Sequence, residues 1–221
     1  MTVQPESEIF FEKFCSDAKI PYVKVPREVN QKTPDYELII GTLKVIVEVK
    51  QIERNKDEKN SDRLLELRGY GSATGGIPGE RVRLKIQSSS RQIKARTQGI
   101  HPSLLVLFDG YSFGRHISPY DLRGAMYGLE TFILAVPGVG PPYVVAKKLG
   151  RRRKMTPTAN TSISAIATLH QLDSGETKLS VYHNDYAAIP LSPEVLASYS
   201  VAQYRIGESN PSGFPQWESI V

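Results

Sequence analysis

At 221 residues, with 40% hydrophobic and 23% charged side chains, the chain can bury one sizeable core and has an ordinary globular composition. A single cysteine, Cys15, excludes an internal disulfide and any cysteine-built zinc cage, and makes a reducing cytoplasm the expected compartment. The net charge of +5 is mild but unevenly spread: Arg81, Arg83, Lys85, Arg91, Lys94 and Arg96 follow with no acid among them, as do Lys147, Lys148, Arg151, Arg152, Arg153 and Lys154, which points to a polyanionic partner.

In chain order, residues 7–19 read as an amphipathic helix with Phe10, Phe14, Phe11 and Ala18 facing inward and Glu8 and Glu12 on the opposite stripe. The first residues, Met-Thr-Val-Gln-Pro-Glu, carry no basic or apolar leader, so no secretory signal is expected. Residues 22–29 alternate loosely and suit a short edge strand interrupted by Pro26. A hairpin spans 35–50 and a charged helix 57–67. The glycine-rich stretch 69–79 reads as a mobile loop; it matches neither a phosphate-binding loop nor a dinucleotide fingerprint. A basic helix over 80–96 turns Val82, Ile86, Ile93 and Leu84 inward, and 103–108 is a continuous apolar strand buried on both faces. A helix is expected from Tyr120 to Leu134. The apolar stretch 131–147 is broken by Pro137, Gly138, Gly140, Pro141 and Pro142, which excludes a membrane span. Strands over 163–170 and 178–183 flank a turn at Asp173, Ser174 and Gly175, and the tail from Ser192 reads as irregular.

The hairpin carries the chemistry. Gly41-Thr42 suits a two-residue type II′ turn, glycine first. Ile40 then faces Leu43, Leu38 faces Val45, and Asp35 faces Glu48. In this register Tyr36, Leu38, Ile40, Leu43, Val45, Val47 and Val49 share one apolar face, and Asp35, Glu37, Ile39, Lys44, Ile46, Glu48 and Lys50 share the other. Opposed Cβ atoms lie about 4.5–5.5 Å apart. Two carboxylates at that spacing repel unless a cation lies between them, and magnesium suits one or two carboxylates with water and phosphate completing the shell. Lys50, two residues past Glu48 on the same face, adds a cation that can stabilise charge on an attacked phosphate.

Pro34-Asp35 followed after a hairpin by Glu48-Val49-Lys50 resembles the PD-(D/E)xK, or restriction-endonuclease-like, nuclease superfamily. The resemblance covers roughly residues 7–110. It implies an α/β fold with a central mixed sheet flanked by helices, and Mg²⁺-dependent hydrolysis of phosphodiester bonds in DNA, with Mn²⁺ able to substitute and RNA an alternative. It implies Asp35 and Glu48 as metal ligands, the Val49 backbone carbonyl as a third, and Lys50 as the catalytic lysine. A glutamate of the preceding helix, Glu8 or Glu12, would join them, and Gln87, Arg91 or Lys94 of the following helix would serve the substrate. Arg83, Gln87, Arg91, Lys94 and Arg152 are the candidate nucleic-acid contacts; they would track the backbone rather than read bases.

Plainer readings attach to the rest. Glu37 and Lys44 read as flank residues, Cys15 as core, and His101, His116, His170 and His183, which lack metal-ligand spacing, as structural. One domain is expected: a core over 7–110, a part completing the sheet over 111–190, and an irregular tail over 191–221. Cutting both strands of a duplex would favour a homodimer. A nucleic-acid-binding protein of the same fold without cleavage is the alternative function.

Overall fold

The computed structural model describes residues 4–26, 33–70, 76–110, 117–172, 174–209 and 213–220. Helix α1 (Glu6–Asp17) buries Phe11, Phe14 and Cys15 on one stripe, and Phe10 at its margin stacks on Phe108 with ring centres 4.8 Å apart. Strand β1 (Tyr22–Lys24) is an edge strand against β2 (Tyr36–Ile40), which turns into β3 (Leu43–Gln51). Gly41 has φ +60° and Thr42 a negative φ, the type II′ combination, and Ile40 pairs with Leu43 and Leu38 with Val45 as expected. The ladder ends at Tyr36–Val47, however, and the Asp35 N–H also turns to Val47 O, so Asp35, expected opposite Glu48, is not its ladder partner. Helix α2 (Lys56–Arg68) starts at a reciprocal Asn55–Glu58 cap and buries only Ser61.

Helix α3 (Glu80–Thr97) buries Val82, Ile86 and Ile93, whereas Leu84, expected inward, is exposed. Strand β4 (Ser103–Phe108) is buried throughout because it lies parallel to β3 on one side and to a later strand on the other. Helix α4 (Pro119–Met126) begins at a Ser118–Asp121 capping box. The helix expected through Leu134 stops there: β5 (Glu130–Ala135) and β6 (Tyr143–Leu149) form a separate two-stranded ribbon, in line with the β-branched and aromatic run Thr131-Phe132-Ile133. Strands β7 (Ala165–Gln171) and β8 (Thr177–His183) follow as read, then the short α5 (Glu194–Ala197). The tail expected to be irregular instead supplies β9 (Ala202–Ser209) and β10 (Pro215–Ser219). The expectations for residues 27–29, 71–75, His116 and Asp173 lie outside the described residues.

Among the described residues eight strands make one mixed sheet in the order β1-β2-β3-β4-β7-β8-β9-β10. Helix α1 covers one face, where Phe11, Phe14 and Cys15 meet Tyr36, Val45, Val47, Val106 and Phe108. Helices α3 and α4 cover the other, where Val82, Ile86, Ile93, Leu122 and Met126 meet Leu105, Leu107, Ile166 and Tyr182. The fold is thus α/β, with a mixed sheet between helical layers. Among the described residues no helix is long and apolar enough to cross a membrane.

The two helices on the second face are locked together at Gly79. Its N–H donates to Asp121 Oδ1 (2.8 Å), its φ is +72°, and a Cβ there would lie 2.3 Å from the Asp121 carbonyl oxygen. Arg83, one turn on, donates to Pro78 O (2.7 Å) and Gly124 O (3.1 Å). Only glycine permits this approach. Gly79→Ala is therefore expected to lower the melting temperature far more than Gly41→Ala. At Gly41 nothing lies within 4 Å, so that substitution carries backbone strain alone, about 1–3 kcal/mol. Equal shifts in a thermal melt would show that α3 and α4 are not held at this contact.

Candidate active site

Alternation along β3 sends Val45, Val47 and Val49 to the α1 side and Ile46, Glu48 and Lys50 to the α3 side. Glu48 is fully buried there, at 0% exposure. Among the described residues neither of its carboxylate oxygens is met by a donor at hydrogen-bond geometry. Lys50 Nζ reaches Oε1 as an ion pair, and the Gln92 amide of α3 lies near enough to ease the charge without completing a bond. Burial, reinforced by the nearby Asp35 charge, pushes the Glu48 carboxyl up to about 7, against the opposing pull of Lys50 and Gln92.

Asp35 is pinned at the open end of the hairpin. Its N–H donates to Val47 O (3.1 Å) and its carbonyl accepts from the Val25 N–H (2.9 Å). Its Oδ2 accepts from the Val49 N–H (2.9 Å), the position a further ladder bond would occupy if β2 continued. Pro34 comes just before, at the start of the strand where a residue without an N–H is tolerated. Ile46 and Ile52 donate to β4-side carbonyls, so the even residues of β3 face β4 and the odd ones face β2. The Val49 carbonyl therefore points to the same edge as its N–H, toward Asp35.

The residues present fit a divalent cation. Glu48 offers two buried oxygens, one of them met by the Lys50 ion pair, Asp35 lies beside it, and the Val49 carbonyl is turned to the Asp35 edge of the strand. No third carboxylate completes the set: among the described residues no group of three acidic, histidine or cysteine side chains is placed to hold a metal.

Glu8 and Glu12 are not with Glu48. They lie on α1, across the sheet, where Lys24 Nζ is 2.9 Å from each and the Tyr36 hydroxyl donates to Glu12 Oε1 at 2.6 Å. Glu8 is buried rather than solvent-facing. Burial acts to raise the Glu12 pKa, but the hydrogen bonds from Tyr36, Lys24 and Gln4 outweigh it and hold the carboxyl below its ordinary range.

The basic helix divides by flank. Each helical residue turns about 100°, so Gln92 and Arg96 project to one side of the apolar stripe and Gln87, Arg91 and Lys94 to the other. The first side faces the hairpin: Gln92 approaches Glu48, and Arg96 donates to Glu37 Oε1 through Nε (3.0 Å) and Nη2 (2.7 Å). Glu37, read as a flank residue, is buried and also pairs with Lys44 (2.8 Å). The second side faces residues 152–154, where Lys154 Nζ donates to Gln87 Oε1 (3.1 Å) and a cleft of about 250 Å³ opens between Gln87 and Arg152–Lys154. Arg91, Lys94 and Arg152 are exposed. Arg83 is not a surface contact: it is 3% exposed and its guanidinium is a strut between α3 and α4.

No protein-family model, curated protein or solved structure matches this chain.

Sequence reading missed Gln92. Periodicity identifies the apolar stripe Val82–Ile86–Ile93 but not which flank faces the hairpin, so Gln87 and Gln92 are equivalent until the packing is known. Cys15 is buried, in agreement with its core reading, and His183 is buried with Nε2 3.0 Å from Gln203 Oε1.

The Glu48 environment has a measurable consequence. Between about 4.5 and about 7 the folded chain keeps a Glu48 proton that the unfolded chain has lost. Stability therefore falls as pH rises through that window in EDTA, by on the order of 3 kcal/mol at most. Above it, Mg²⁺ should raise the melting temperature of the wild type and leave that of Glu48→Gln unmoved. Parallel stability–pH curves for wild type and Glu48→Gln would show that this carboxyl carries no such load.

Proposed function

We propose that the chain is a Mg²⁺-dependent nuclease of the PD-(D/E)xK kind, acting endonucleolytically on phosphodiester bonds in DNA. The observation that carries this reading is the fully buried Glu48 carboxylate, met by the single Lys50 ion pair and set beside Asp35 on one hairpin. The elements over the residues that carry the resemblance support it: a helix, the β2–β3 hairpin, then helices and the buried strand β4, within a mixed sheet flanked by helices.

In this reading Asp35, Glu48 and the Val49 carbonyl hold the metal. When bound, the metal lowers the pKa of a ligated water and polarises the phosphate. The chain's own residues do the rest. Asp35 is held by backbone on both sides, so its carboxylate is preorganised. Lys50 presents a single positive charge to the oxygen on which negative charge develops. Gln92 presents its amide toward Glu48 from α3 and eases its charge. The basic surface of Arg91, Lys94, Arg152 and Arg153 holds phosphates remote from the cut, independently of base sequence.

One observation favours a second reading, a nucleic-acid-binding protein that does not cleave. Lys50 already lies against Glu48, and an ion pair could be the whole purpose of the pair. Cleavage assays separate the two. Asp35→Ala and Glu48→Gln are expected to abolish Mg²⁺-dependent cleavage of plasmid DNA while remaining folded. Lys50→Ala should lose roughly 10²–10³ in rate yet keep the Mg²⁺-induced rise in melting temperature, because it removes a transition-state charge and not a ligand. An Asp35→Ala protein that cuts like wild type ends the nuclease reading.

The basic surface has its own test. Replacing Arg152 and Arg153, or Arg91 and Lys94, with alanine should weaken DNA binding alike for all sequences and flatten its salt dependence by about one unit of slope per lost phosphate contact. Arg83→Ala should instead lower stability. If the salt slopes do not move, these side chains are ordinary solvated surface.

A further inference from the structure

A second cavity, of about 280 Å³, lies at the far end of the sheet on the same face as Glu48. Its walls are Tyr120 and Arg123 of α4, Tyr182 of β8, Tyr204 of β9, and Gln216 and Trp217 of β10. Tyr182 and Tyr204 stack with ring centres 5.0 Å apart, and Trp217 meets Tyr182 edge-on at 4.9 Å. The indole N–H donates to Pro119 O (2.7 Å), which fixes the ring against the start of α4. Tyr120 is 45% exposed, so one wall is open to solvent. Well-packed interiors leave few voids larger than one water, whose share of liquid volume is about 30 Å³. A cleft of this size is close to the lower end of small-ligand pockets, about 300 Å³.

Register fixes where this cavity stands. Glu48 pairs with Leu105, Leu105 with Ile166, Ile166 with Tyr182, and Tyr182 with Tyr204. All five stand in one row across the sheet. At about 4.8 Å per strand, Tyr182 is on the order of 14 Å from Glu48, with the buried Leu105 and Ile166 between them, so one strand would join the two sites only by passing around the covering helices.

The chemistry of the walls selects the ligand. Flat aromatic faces stack any base, and the Gln216 amide, whose nearest partner is Phe214 O at 3.5 Å, has a donor and an acceptor to offer a base edge. The Arg123 guanidinium lies 5.1 Å from the Tyr120 ring centre, already stacked on that ring and paired with Glu130, so the cation–π position on Tyr120 is taken from within the protein. We propose that the cavity between α4 and strands β8–β10 takes a nucleobase turned out of the strand to be cut, which makes single-stranded or locally opened DNA the substrate class. The identity of the substrate rests on the nuclease reading; the binding chemistry does not.

Trp217 is the only tryptophan in the chain, so its fluorescence reports the cavity directly. The probes are a thymidine oligonucleotide, a blunt duplex of equal length and a proline-rich peptide, each titrated in EDTA so that nothing is cut. The single strand should quench Trp217 saturably and far more tightly than the duplex. Tyr120→Ala and Tyr204→Ala should each weaken that binding roughly 5- to 150-fold, the loss of one stacked base. Tyr120 is exposed enough that its variant should melt like wild type, which keeps the test valid if Tyr204→Ala fails to fold. Quenching by the peptide alone, equal quenching by duplex and single strand, or no response at millimolar probe would each overturn the proposal. Mg²⁺-dependent cleavage without Trp217 quenching would remove the base pocket and leave the nuclease reading. Quenching without cleavage would do the reverse.

Discussion

A carboxylate taken fully out of water must find a cation, take up a proton, or destabilise the fold, and Glu48 is placed where all three bear on it. Lys50 contacts one oxygen, the carboxyl holds its proton up to near neutrality, and Asp35 beside it increases the demand for positive charge. The acids described on the opposite face are placed differently. There Glu8 is also buried and Glu12 partly so, but Lys24, Tyr36 and Gln4 satisfy them. Two acidic clusters separated by one sheet thus differ in kind: one is closed by hydrogen bonds, the other still has an acceptor surplus. That surplus, rather than the presence of acids, marks a metal-binding candidate.

Keeping Glu48 dry requires that α3 not shift, and the helix is fixed at both ends. At its start, Gly79 and Arg83 tie it to α4 through Asp121 and the Gly124 carbonyl. At its end, Arg96 ties it to Glu37 of the hairpin. Gln92 lies between these anchors and is delivered to Glu48 by them. The Arg96–Glu37 pair therefore acts as a positioning element: it draws the last turn of α3 toward the strand that also positions Asp35.

Much of this geometry is legible in the sequence, for identifiable reasons. The hairpin register follows from a two-residue turn and a period-two pattern that a one-residue slip would scramble, so Ile40–Leu43 and Leu38–Val45 pair as read. Strand β4 declares itself by continuous apolar character. What was not legible depends on contacts between segments distant in sequence. Strands β9 and β10 flank Asn210, Pro211 and Gly213, turn residues that dominate a local reading, and they become strands by pairing with β8 and with each other. Glu8 looks solvent-facing on the helix wheel because Lys24 and Tyr36, which bury and pair it, arrive from another part of the chain. Arg83 looks like surface charge until the backbone carbonyls of α4 and Pro78 are brought to it. The periodicity of α3 likewise places Gln87 and Gln92 on two flanks but cannot say which flank meets the hairpin.

The division of the basic helix also bears on how a polyanion would approach. Arg96 is held by Glu37, Arg81 pairs with Glu58, and Arg83 is buried, so half of the acid-free run serves the fold. The charge left for a ligand is displaced to the other flank of α3, next to Arg152 and Arg153. A strand held there by its phosphates would reach Glu48 only around the helix. At the site it would meet Lys50 first, since Lys50 is partly exposed and Glu48 is not. Lys50 is the cation that stabilises Glu48 in this structure; under the proposed function the same side chain would have to leave that carboxylate for a metal to take its place, and a substrate phosphate would offer it a new partner.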